Sequence, residues 1–315
     1  MASPVRHRLL AGLLLMAGLF VGSAMADHPT GTLDTVGSDT MAGLMLRWGE
    51  RLAREHPGLR LQLQASGSAS APPALTAGTT RLGPMSRPMT EGERQAFIAQ
   101  HGYPPLELVV AKDALVVVVH RHNPLQSLSR EELDAIFSVN RRCGGKHAIT
   151  RWQQLGKGLP EGRIRLHGRN AASGTHGLFR RVALCGGQFR PEVSQHPGSA
   201  AVVAAVAEDP RALGYAGLNH LDAGVKRLAR RDADGALHWP DAASVASGDY
   251  TLARNLYLYV NLPPGESLPA PERAFLELVL SPAGQAVVEA LDFVPLPPDV
   301  MMRQRQALGL ATSAN

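Results

Sequence analysis

Between residues 168 and 179 the chain places Arg169, Ser173, Gly174 and Thr175 within seven positions, where a strand-like run over 162–167 opens into a helix. These residue types suit a tetrahedral oxyanion. The guanidinium offers a planar fork of donors, and the small residues present backbone N–H groups at the positive end of a helix. Glycine lets the backbone approach a ligand closely. The same residues also read as an ordinary Ser/Thr helix cap after a loop arginine, so the rest of the chain has to decide.

Three earlier strand ends repeat the pattern. A short strand over 33–36 turns through Gly37, Ser38, Asp39 and Thr40 into a helix over 41–55, which His56-Pro57-Gly58 ends. An alternating strand over 59–64 runs into Ser66, Gly67 and Ser68 before a helix over 71–77. A third strand end carries Ser86 and Arg87, followed by a helix whose Thr90 and Glu93 fit a capping box. Each turn supplies hydroxyls or backbone donors, and capping and ligand contact do not exclude one another.

The elements that hold these turns alternate in type. The valine-rich runs 106–110 and 114–119 predict two strands buried on both faces. Helices are expected over 129–137, with Ser129 capped against Glu132, and over 178–184, 198–207, 271–279 and 282–291. Strands are expected over 213–217 and 255–261, with a turn or short helix at 152–155 and a closing segment at 293–296. Alternation of this kind implies an α/β architecture with ligand chemistry at the carboxyl ends of strands.

Arg6, His7 and Arg8, an apolar run over 9–21, and the small-x-small site Ala24-Met25-Ala26 read as a secretory signal peptide cleaved near Ala26, with a membrane anchor as the alternative. The run is short for spanning. Cleavage removes Arg6 and Arg8 and no acids, so the formal charge falls from +5 to 5 − 2 = +3, and 315 − 26 = 289 residues remain. That length fits two lobes better than one core. Basic residues are dispersed and aromatics are 5%, which does not suit a nucleic-acid surface. Cys143 and Cys185 read as a disulfide in an oxidising compartment, a catalytic thiol being the other reading. His120 and His122 lack a third metal ligand nearby, Gly144-Gly145-Lys146 lacks the P-loop spacing, and no Gly-x-Ser-x-Gly elbow accompanies Ser66 or Ser173. No metal, cofactor or catalytic residue is expected.

Taken in order, Val36 to Thr40, Ala65 to Ser68, Ser86 to Met89, Arg169 to Phe179, Leu213 to Gly217, Leu256 to Val260 and Phe275 through Ser281-Pro282-Ala283-Gly284-Gln285 to Leu296 resemble the periplasmic phosphate-binding proteins of ABC transporters. The resemblance implies a two-lobe type II periplasmic-binding-protein fold, each lobe a mixed sheet flanked by helices, with the ligand in the cleft between them. On this reading lobe one spans 27–117 plus 255–315, and lobe two spans 118–254. Contacts to the ligand are implied for Asp39, Thr40, Ser68, Ser86, Arg169, Ser173, Gly174 and Thr175, with Ser38, Ser66, Gly67 and Arg87 alongside them.

The implied function is an exported monomer, periplasmic or secreted, that captures inorganic phosphate or a similar oxyanion for a membrane permease. The alternatives are a secreted phosphatase-like hydrolase and an extracellular adhesion or matrix protein retaining the fold. Arg87 departs from the family pattern, which has an acid there to accept the ligand's proton. Either Asp39 supplies that acceptor from the first turn, or discrimination against a fully deprotonated anion is lost. Arg87 itself faces the ligand or turns to the rim to pair with an acidic neighbour.

Overall fold

The computed structural model describes residues 29–310. The expected signal peptide with its cleavage site and the tail after Leu310 lie outside them. The first α/β unit runs β1 (Gly31–Val36), α1 (Ala42–Glu55), β2 (Leu59–Gln64), α2 (Ala71–Thr76), β3 (Leu82–Met85) and α3 (Glu91–His101). Then come β4 (Leu106–His120), β5 (Ser127–Ser129), α4 (Arg130–Phe137), β6 (Arg165–Arg169), α5 (Gly174–Val182), β7 (Ser194–His196), α6 (Ser199–Glu208) and β8 (Ala212–Gly217). The chain continues through β9 (Val225–Arg227), β10 (Ala229–Arg231), β11 (Leu237–His238), α7 (Ala242–Ser247) and β12 (Ala253–Val260), and closes with α8 (Ala270–Val279), α9 (Pro282–Ala290) and α10 (Pro298–Ala307).

The main sheet has the order β2-β1-β3-β12-β4-β8-β6-β7, with β9 also on β4. β1 pairs parallel with β2 and β3, and β6 pairs parallel with β7 and β8, so each end is built from strand–turn–helix units. β4 joins the two ends. Its first part, Leu106 to Ala114, pairs antiparallel with β12, whereas Leu115 to Val119 pairs antiparallel with β8.

The expected pair of strands at 106–110 and 114–119 is therefore one strand of 15 residues. Lys112 and Asp113 interrupt the apolar pattern because charge seldom sits inside a buried run; here Asp113 Oδ2 is paired with Arg254 on β12, and the ladder continues through it.

The apolar cores divide at that point. Leu108, Val110 and Ala111 pack with Trp48 and Leu52 of α1, Leu256 and Leu258 of β12, and Phe275 of α8. Beyond Asp113, Leu115, Val117 and Val119 pack with Phe137, Phe179 and Tyr215 on one face of the strand, and Val116 and Val118 pack with Val202, Val203 and Val206 of α6 on the other. Alternation along one strand thus supplies two cores, as its period of two requires.

Both expected capping boxes form: the Thr90 and Ser129 hydroxyls accept from the backbone N–H of Glu93 and Glu132, whose carboxylates accept in return from Thr90 and Ser129. The helix α10 lay outside the sequence expectations, as did the short strands β5, β7, β9, β10 and β11 and the helix α7.

Cys143 and Cys185 form the expected disulfide, with Cα atoms 5.5 Å apart, tying the loop after α4 to the turn that follows α5. It closes a loop of 42 residues. Replacing both cysteines by serine is expected to lower stability by about 2–4 kcal/mol, chiefly by freeing the unfolded chain. Denaturant unfolding measures that loss, and detection of two free thiols in the native exported protein would contradict the bridge.

Candidate anion-binding site

Four turns converge where the cores meet. The N-terminus of α5 is set by Ser173, whose Oγ accepts from the Thr175 backbone N–H at 3.1 Å. Gly174 follows it, buried against the other side: a methyl group there would lie 2.4 Å from Ser86 Oγ and 2.9 Å from Ser68 Oγ. Only glycine permits that approach. The second turn meets the same loop through its backbone. Gly67 has φ +107°, a methyl there would sit 2.9 Å from the Ala172 carbonyl oxygen, and Ala69 N–H donates to that oxygen at 3.2 Å.

The hydroxyls of the turns touch in pairs. Thr40 Oγ1 lies 3.2 Å from Thr175 Oγ1, and Ser68 Oγ lies 3.0 Å from Ser86 Oγ while accepting from the Ser86 N–H at 3.0 Å. All four are buried, as are Ser38 and Ser173. Buried hydroxyls gathered from distant turns cost desolvation unless something uses them.

Two arginines are buried with them. Arg169, 1% exposed, donates through Nη1 to Ser199 Oγ at 3.0 Å and through Nη2 to the Pro197 carbonyl at 2.7 Å, and its backbone N–H donates to the Tyr215 hydroxyl at 3.2 Å. Its Nη2 also sits 3.1 Å from Asp39 Oδ2, an ion-pair contact whose angle does not make a hydrogen bond. Burial pulls the guanidinium below its ordinary pKa and Asp39 pulls it back.

Arg254, at the start of β12, donates through Nε and Nη2 to Asp113 Oδ2 at 2.9 and 2.6 Å. The same Nη2 reaches Thr175 Oγ1 at 2.9 Å and Thr40 Oγ1 at 3.2 Å. One guanidinium thus contacts a hydroxyl from each of the two α/β ends. Five buried polar atoms without a hydrogen-bond partner lie here: Ser38 Oγ, Asp39 Oδ2, Asp113 Oδ1, Arg169 Nε and Arg254 Nη1. A cluster of such atoms calls for an explanation, and a bound polar ligand or water supplies one.

The structure thus brings together Ser38, Asp39, Thr40, Gly67, Ser68, Ser86, Arg169, Ser173, Gly174 and Thr175. Two expected residues are not brought in. Ser66 is exposed and accepts a 3.4 Å bond from Gln64 Nε2. Arg87 turns away to a bidentate pair with Glu93, with Nη1 to Oε2 at 2.7 Å and Nη2 to Oε1 at 2.6 Å, and also donates to the Pro88 carbonyl. Glu93 is already held over this turn by its capping bond to Thr90, which places its carboxylate within Arg87's reach. The rim reading of Arg87 fits the structure and the ligand-facing reading does not.

Sequence reasoning missed Arg254 and Asp113. Asp113 interrupts an apolar run of valines, which is itself a signal, because an acid buried in a strand needs a buried cation. Arg254 carried no signal of its own.

The PBP superfamily domain model matches residues 23–283. The chain is 43% identical to phosphate-binding protein PstS of Pseudomonas aeruginosa over 96% of its own length and 99% of the relative's. It is 27% identical to protein SphX of Synechococcus elongatus over 88% and 80%. Among solved structures it is similar to an ABC-type phosphate transport receptor from Vibrio cholerae, with TM-score 0.63, 22% identity and coverage of 84% and 100%. A structure from Clostridium perfringens with bound phosphate gives TM-score 0.71 at 20% identity, covering 85% and 100%.

The Arg254–Asp113 pair has side chains only 5% and 1% exposed. Asp113→Ala strands a buried guanidinium, and a loss of about 3–5 kcal/mol in denaturant unfolding is expected. Replacing both partners together, Asp113→Leu with Arg254→Met, is expected to cost less than the single change. A single-mutant loss below about 1 kcal/mol, the range of an exposed pair, would mean the pair is solvated.

Proposed function

This chain belongs to the PBP superfamily, and we propose that it is an exported receptor that captures inorganic phosphate between two lobes and delivers it to an ABC-type permease. The fold is the two-lobe type II periplasmic-binding fold, and the chain is a binding protein rather than an enzyme. The proposed lobes are residues 27–117 with 255–315, and 118–254. The change of core between Ala111 and Ala114 supports two lobes that cross at β4, a few residues before the proposed boundary at 117. Cleavage near Ala26, release into the periplasm and action as a monomer belong to the same proposal.

The observation that carries the reading is Arg254 Nη2 held within hydrogen-bond distance of both Thr40 and Thr175. Donors from one lobe alone would bind an anion equally well whether the cleft is open or shut. Donors from both lobes bind it fully only when the cleft is shut, so the ligand shifts the hinge equilibrium by its differential affinity. The proposed contacts are Ser38, Thr40, Ser68, Ser86, Arg169, Ser173, Gly174, Thr175 and Arg254, with Asp39 as acceptor. Ser66 and Arg87 are not among them.

Selectivity rests on the acceptors. Asp39 and Asp113 bring two carboxylates to the two guanidiniums, so the cluster favours an anion that has a proton to give. A fully deprotonated anion leaves an acceptor buried and unpaired, a loss that hydrogen-bonding sites use for discrimination. Phosphate is accordingly favoured over sulfate, with Asp39 in place of the acid expected at position 87.

Arg169→Ala is expected to weaken phosphate binding by about 2–5 kcal/mol in calorimetry, the usual range for truncating one side of a buried charge contact. Arg87→Ala is expected to shift it by no more than about 0.5 kcal/mol, as for a surface change. Unaltered affinity on Arg169→Ala would move the site elsewhere. Sulfate binding as tight as phosphate at neutral pH would remove the role assigned to Asp39.

A further inference from the structure

Just past the carboxyl end of β8 a single helical turn, Leu218–His220, sets an imidazole beside the junction that holds Arg169. The turn is tied to Arg169 through one oxygen: Ser199 Oγ accepts from Arg169 Nη1 at 3.0 Å and from the Gly217 N–H at 3.3 Å. A methyl group on Gly217 would lie 3.4 Å from His220 Cδ2, so the ring packs against that junction. Gly217 is also the β-partner of Leu115, two residues beyond Asp113. His220 Nε2 is buried and has no hydrogen-bond partner.

We propose that His220 reads the protonation state of the bound oxyanion, its Nε2 accepting from a protonated ligand oxygen when the ring is neutral and donating to a bare oxygen when it is charged. The proposal rests on the oxyanion reading of the cleft and adds a residue to it.

The surroundings give His220 a part that Asp39 and Asp113 do not share. A carboxylate remains acceptor-only across neutral pH, whereas imidazole exchanges an acceptor for a donor there. Burial depresses the proton affinity of His220, and four charges act on it: Asp39 from the first turn and Asp113 from β4 raise it, while Arg169 from β6 and Arg254 from β12 lower it. The helix α6, packed on the same turn, contributes Ser199 and apolar side chains. The net shift is downward, so the ring is neutral at neutral pH and gains charge only below its ordinary range. With its proton on Nδ1, the neutral ring gives the site an extra acceptor at neutral pH that rewards a ligand proton. In acid it holds an extra donor and a positive charge, which reward an anion without one.

Sulfate is the probe that isolates this effect, because it does not itself titrate between these states. Calorimetry on the mature protein at about pH 8 and about pH 5 is expected to show sulfate binding tightening about tenfold in acid, the scale of one hydrogen bond to a charged group. His220→Gln is expected to abolish the change while still binding phosphate at about pH 8. An equal pH response in both proteins, or none in the unsubstituted protein, overturns the proposal.

Should His220→Gln fail to fold, nitrogen NMR of the imidazoles in the unsubstituted protein replaces it. The His220 Nε2 resonance must move on adding sulfate, and an unmoved resonance overturns the proposal equally. Failure of the unsubstituted protein to bind phosphate at either pH defeats the oxyanion reading itself. Phosphate binding with an unresponsive His220 defeats only the role assigned to this residue.

Discussion

The ion pair between Arg254 and Asp113 holds the molecule's two halves in register. The residues face each other on β12 and β4, at the place where β4 leaves one pairing partner for another and where the apolar cores change over. Removing two charges from water costs several kcal/mol per ion, which attraction between them repays only with good geometry and further hydrogen bonds. The pair has both: Nε and Nη2 converge on one carboxylate oxygen, and Nη2 also meets Thr40 and Thr175. An apolar pair of similar size would satisfy the strands equally well. It would not reach hydroxyls on both sides of the cleft, so the charge is better explained by the site than by stability.

Around that pair the turns depend on absent side chains as much as on present ones. Gly174 admits Ser68 and Ser86 to the end of α5, and Gly67 admits the Ala172 carbonyl. Any larger residue would hold these surfaces apart by the width of a methyl group, and donors separated by that distance no longer converge on one small anion. Short strand–turn–helix units make the convergence possible, because each presents the first turn of a helix or a strand end at the same edge of the sheet.

Much of this was legible before any coordinates. The four turns could be read from glycine and hydroxyl residues following apolar strands, and the helices from their caps. The physics there is local: a cap is satisfied within three residues of itself. What could not be read was set by pairing across distance. β4 reads in sequence as two strands because Lys112 and Asp113 separate its apolar runs, and nothing near Asp113 in sequence announces Arg254, whose number differs by 141. Arg87 stayed between its two readings for a related reason. Glu93 was recognised as a capping acid, yet its second oxygen was free to bind an arginine six residues back, and a spacing rule for caps does not count the lone pairs left over.

The distribution of charge separates attraction from selection. Residues 114–253 contain 18 Lys and Arg against 12 Asp and Glu, whereas the remaining described residues contain 12 against 14. One half of the protein is therefore cationic, and its field acts on an anion before contact, over about a Debye length of roughly 8 Å at physiological salt. Inside the cleft the balance differs, since two guanidiniums face two carboxylates and their formal charges cancel. An anion that arrives there gains little from net charge and much from the direction of each donor: the serine and threonine hydroxyls, the backbone at the head of α5, and the arginine N–H groups not committed elsewhere. A neutral cluster rich in oriented donors and containing acceptors distinguishes anions by their protons, which net charge alone cannot do.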